Sequence, residues 1–103
     1  SRDVLFVNQT TQYANDATWK WDYGDGKSTT FDSFNERHTH KYDTDEISDE
    51  VKQISITLTV NQDGQSFSHQ QTIFRNELPK AGSLAWALPF FIWLLLVRRY
   101  NAN

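Results

Sequence analysis

The chain has no cysteine among its 103 residues. That excludes a disulfide framework and thiolate chemistry, and it leaves an oxidising compartment tolerable without requiring one. Hydrophobic residues make up 38% of the chain, and many of them sit in the last quarter, so the first eighty residues are very polar. No stretch before residue 80 carries helical periodicity. No nucleophile elbow and no glycine-rich phosphate loop accompanies the scattered Ser, His and Asp residues, so no catalytic residues and no cofactor are expected. A basic face is also missing: residues 1–80 hold eight Lys/Arg against all thirteen Asp/Glu. An excess of five acidic groups argues against nucleic acid as a partner. No signal-peptide pattern opens the sequence, since Ser1-Arg2-Asp3 leads straight into Val4-Leu5-Phe6-Val7. The expectation is a removed signal or the end of a longer protein.

Aromatic residues are abundant, at 15%. A few large rings can compensate for scarce aliphatics in a small domain, because each buries a large area. They concentrate in Thr18–Tyr23, where Trp19, Trp21 and Tyr23 alternate with Lys20 and Asp22 and so share one face of a strand. Gly24-Asp25-Gly26 follows at once and supplies the positive φ angles of a tight turn, with Ser28–Phe31 returning as the partner strand. Val4–Val7 and His38–Tyr42 read as further short strands. Val51–Val60 is the clearest, with Ile54, Ile56, Leu58 and Val60 alternating with polar residues. Asp63-Gly64 is a hairpin signal, and Ser66–Phe74 closes it with Phe67 and Ile73 facing one way. Short alternating strands separated by turn signals predict an all-β sandwich over residues 1–74. Trp19, Trp21 and Tyr23 are expected to pack against Ile54, Ile56 and Leu58.

Residues 75–83 read as a linker with Pro79 and Gly82. From Leu84 to Val97 fourteen residues carry no charge, and Arg98-Arg99 closes the run. Counted from Ala81, the uncharged stretch would span about 25 Å as a helix. A hydrocarbon core is ~30 Å thick, and arginine side chains can snorkel across the shortfall. Trp86, Phe90, Phe91 and Trp93 supply aromatic bulk, and Trp86, Trp93 and Tyr100 suit the two interfaces. The prediction is one membrane helix over 84–99 with a polar tail at 100–103. The basic pair places the C-terminus in the cytoplasm and the β domain on the periplasmic side of an inner membrane.

Trp21-Asp22-Tyr23-Gly24-Asp25-Gly26 resembles the WDFGDG signature of the polycystic kidney disease (PKD) domain, an immunoglobulin-like β-sandwich. The resemblance covers about residues 4–74. The segments VLFVNQT (from Val4), STT (Ser28–Thr30), HKY (His40–Tyr42) and ISITLTV (Ile54–Val60) follow in the family's order. It implies that Val4 and Phe6 point inward and that His40 and Tyr42 are structural. It also implies one more strand before Val4, which the sequence does not supply. The expectation is a cropped chain or an edge strand contributed by another segment, since an open edge invites strand addition. Gly82–Trp86 with Arg98-Arg99 resembles a bacterial GlyGly-CTERM sorting signal, which implies surface display after processing near Ala81-Gly82.

Other candidate chemistry has plainer readings beside it. Counted as an EF-hand from Asp22, the third position is Gly24 and the twelfth is Ser33, so that reading fails. Asp22 and Asp25 are expected to accept backbone N–H groups in the turn. His38 and His40 share a strand face and could bind zinc with His69, but nothing in the sequence brings His69 near them. The acidic stretch from Asp43 to Glu50 reads as a solvated loop. Asn8-Gln9-Thr10 is a formal glycosylation sequon. The functional expectation is a non-catalytic, membrane-anchored module that binds protein or glycan. The alternatives are an accessory single-pass subunit of a larger membrane complex, or the PKD and sorting tail of a longer secreted enzyme.

Overall fold

A computed structural model describes residues 2–43, 45–78 and 86–90. The elements are β1 (Arg2–Asn8), β2 (Thr18–Asp22), β3 (Ser28–Phe31), β4 (Arg37–Tyr42), β5 (Gln53–Gln62), β6 (Gln65–Phe74), a 3-10 turn at Arg75–Glu77, and β7 (Trp86–Phe90). They form two sheets, with orders β4-β1-β7 and β3-β2-β5-β6. The described chain is therefore all-β and sandwich-like, as the alternation predicts. Among the described residues no helix is long and apolar enough to cross a membrane.

One core joins the sheets. Val4, Phe6 and Tyr42 come from the first, and Trp19, Trp21, Ile54, Ile56, Leu58 and Val60 from the second. Each of these is at most 1% exposed. The period of two explains the sorting, because every second residue of β2 and β5 turns inward and the intervening ones meet water. The β2–β5 register sets Trp19 opposite Val60 and Trp21 opposite Leu58. An aromatic next to a branched aliphatic is a favourable cross-strand pair. The β5–β6 ladder runs ten residues to a two-residue turn at Asp63 (φ 53°) and Gly64 (φ 72°). Both central residues have positive φ, matching the strand twist as a type I′ turn does.

The start of the expected linker packs on the domain. Leu78 is buried in the core, and Arg75 donates to the backbone carbonyl of Ser48. Within the expected helix over 84–99, residues 86–90 are instead extended and pair in parallel with β1. The physical reason is local. The side of β1 away from β4 offers backbone groups to satisfy, and Pro89 is a poor residue for a helix interior but tolerable in an edge strand. The remainder of that helix, including Phe91, Trp93, Arg98 and Arg99, lies outside the described residues. So do Ala81 and Gly82.

Candidate functional site

The most densely connected polar region is the corner after β2. Gly24 and Gly26 both have positive φ, 80° and 86°. For Gly24 there is a second constraint. A Cβ there would lie 2.4 Å from the Ser55 carbonyl oxygen and 2.7 Å from Ile54 Cγ2, whereas nothing lies within 4 Å of one built on Gly26. The corner is thus pressed against β5 at one glycine and open to solvent at the other.

The two aspartates hold the turn from inside. The Gly24 N–H donates to Asp22 Oδ1 (3.0 Å), and the Lys27 N–H donates to Asp25 Oδ1 (3.1 Å). The Tyr23 N–H donates to the Lys27 carbonyl (3.1 Å) and closes the loop. The Asp25 side chain is only 3% exposed, and its other oxygen receives His40 Nε2–H at 2.8 Å. Both aspartates therefore do what their place in the sequence predicts.

Above the turn, β4 lays a row of rings against Tyr23. His40 stacks on it at 3.7 Å with an interplanar angle of 3°. Tyr42 donates its hydroxyl to the Tyr23 carbonyl at 2.8 Å, a buried bond from one sheet to the other. His38 packs on Phe6 and edge-on to Trp21, and its Nε2 is hydrogen-bonded with the Tyr23 hydroxyl at 2.7 Å. Burial drives the His38 pKa from 6.5 down to about 4, with neighbouring His40 adding repulsion. Its Nδ1 has no hydrogen-bond partner among the described residues, so a proton added to the ring would strand a charge in the core. Burial likewise raises the Tyr23 phenol, with the Thr29 bond opposing and Asp25 assisting, and it raises Tyr42 further. Both phenols stay protonated.

The structure brings Trp21, Asp22, Tyr23, Gly24, Asp25, Gly26, His40 and Tyr42 together, with Trp19 one turn of the pleat away. It does not assemble a three-histidine site. His38 and His40 face the β2 corner, while His69 lies on β6, with its Nε2 3.4 Å from Gln71 Nε2. Among the described residues no group of three His, Cys, Asp or Glu side chains could hold a metal ion. Asn8 of the sequon is 2% exposed, and its Oδ1 accepts the Thr10 N–H, so it is inaccessible to glycosylation in the folded state. The acidic loop is partly tied down: Glu46 pairs with Lys27 at 2.9 Å and Asp49 with Arg75 at 3.5 Å.

Two features were not read from the sequence. His38 was read as sharing a strand face with His40, but not as belonging to the corner, which it joins through the Tyr23 hydroxyl. At the other end of the core, Tyr13 stacks on Phe34 at 4.5 Å and meets Trp19 edge-on at 5.4 Å. Both rings sit in loops, where periodicity gives no signal.

The outer surface of β5 and β6 is a hydroxyl and amide ladder. Thr59 and Ser68 are 2.8 Å apart, Ser55 and Thr72 are 3.4 Å apart, and Ser66 donates to Asn61, all exposed. Compared with protein-family models, curated proteins and solved structures, the chain finds no match.

Proposed function

We propose that this chain is a non-catalytic, extracytoplasmic interaction module anchored to a membrane by residues 84–99. The observation that carries the reading is the run from Leu84 to Val97 without a charge, closed by Arg98-Arg99, directly after a polar, acidic β domain. A run with no polar face suits lipid better than water, and the basic pair favours a cytoplasmic end. The corner supports the non-catalytic part. Asp22, Asp25, His38 and His40, which could otherwise do acid–base work, are each engaged in holding the turn or the core. The exposed hydroxyl and amide ladder on β5 and β6 supports a polar protein or glycan surface as the partner. The PKD-like signature at Trp21–Gly26 agrees with an adhesive or scaffolding role, though a fold names no ligand.

The test is fractionation of the full chain expressed in a Gram-negative host. The reading expects it to stay in the membrane pellet after alkaline carbonate, with the β domain digested by protease added to spheroplasts. Release by carbonate, or protection of the β domain in intact spheroplasts, would sink the anchor or its orientation respectively.

A further inference from the structure

We propose that the side of β1 away from β4 is a strand-accepting site. Residues 86–90 of this chain occupy it away from a membrane and leave it on insertion, so that anchoring uncovers the edge. The inference rests on the membrane reading above.

The register states the occupancy: Val4 pairs with Trp86, Leu5 with Ala87, Phe6 with Leu88, Val7 with Pro89 and Asn8 with Phe90. On its other side β1 is held by β4 from Arg2–Tyr42 to Val7–Arg37. Removing β7 would therefore turn a central strand into an edge over Val4–Asn8. That edge is apolar in sequence, with half-buried Leu5 and Val7, and it has no lysine, proline or bulge to deter pairing.

Length makes the two placements of residues 86–90 exclusive. The uncharged run needs all of its residues to approach the ~30 Å of a hydrocarbon core. With residues 86–90 in the sheet, only 91–97 remain before Arg98, and seven residues reach about 10 Å as a helix. A lone extended segment is no alternative, because lipid satisfies none of its backbone groups. The same five residues cannot pair with β1 and cross the membrane at once.

The pairing has the character of a displaceable cover. It is five residues long and parallel, which is the slightly weaker ladder, and Pro89 lacks an N–H to donate. Only residues 79–85 separate it from buried Leu78, so the segment stays at high local concentration beside β1 when no lipid competes.

The experiment uses the full chain with vesicles of phosphatidylethanolamine and phosphatidylglycerol. Flotation reads insertion, and amide hydrogen exchange reads β1, with β5 as the internal control. The expected result is flotation with β1 amides exchanging at least tenfold faster than in vesicle-free buffer, while β5 is unchanged. Flotation with β1 protection unchanged would overturn exclusivity and leave the anchor standing. Failure to float would overturn both. A second arm uses Leu5→Cys with Ala87→Cys, which can cross-link only to each other within a chain that has no native cysteine. The oxidised protein should lose flotation at least tenfold and regain it on reduction. Equal flotation of the oxidised form, or failure to cross-link in vesicle-free buffer, would also overturn the proposal.

Discussion

β5 and the run from Leu84 to Val97 are the two most apolar-looking stretches of the chain, and they solve opposite problems. In β5, Ile54, Ile56, Leu58 and Val60 alternate with Ser55, Thr57 and Thr59, so one face enters the core and the other meets water. That pattern is complete within the protein. The second run has no polar alternation at all, so a sandwich can bury only one of its faces. Five of its residues find a backbone partner on β1. Apolar content alone does not separate a core strand from a segment seeking another solvent; the spacing of the polar residues does.

If the β domain is self-sufficient, damage to its core should unfold it whatever the tail does. Trp21→Ala should cost about 3–5 kcal/mol in urea unfolding, as other buried aromatic truncations do; unchanged stability would remove Trp21 from the core. Gly24→Ala should cost about 2–4 kcal/mol, since it combines positive φ with a backbone clash. Gly26→Ala, with the same φ but open space, should cost about 1–2 kcal/mol. Equal losses at the two glycines would mean that the corner is not pressed on β5.

Acid should act through His38. The folded state holds its pKa near 4, below the 6.5 of the unfolded chain. The unfolded state therefore takes the proton first. Stability is complete above pH 6.5 and declines as pH falls toward 4, levelling off below it. His38→Gln should flatten that slope. Tyr42→Phe removes the donor to the buried Tyr23 carbonyl and should cost about 1–2 kcal/mol. The smallest effect on folding is expected in the tail. Ile92→Arg should leave the unfolding midpoint in buffer unchanged while disfavouring membrane insertion by about 2.5–3.5 kcal/mol. A fall in the midpoint would mean that the region around Ile92 belongs to the folded domain.

Six strands were legible in the sequence, most plainly β2 and β5, where an alternating run ends at a turn: Gly24-Asp25-Gly26 after β2 and Asp63-Gly64 after β5. The inward set of β2 and β5, Trp19, Trp21, Ile54, Ile56, Leu58 and Val60, was legible from the same alternation, whereas Val4 and Phe6 were expected inward only from the PKD resemblance. The contacts that give the corner its rigidity were not. Gly24 meeting the Ser55 carbonyl, His38 bonding with the Tyr23 hydroxyl and Tyr42 reaching the Tyr23 backbone all join residues distant in sequence. The β7 pairing was not legible, because hydropathy registers only side chains, whereas β1 engages the backbone of residues 86–90.

The most direct test of the anchored-module account is the C-terminal peptide, identified by mass spectrometry, of protein taken from native membranes. The account predicts a chain that continues through Arg98-Arg99 to Asn103, with the uncharged run retained as a permanent anchor. A chain ending near Ala81 or Gly82 would contradict it, and would make residues 84–99 a signal that is discarded once the β domain has been delivered.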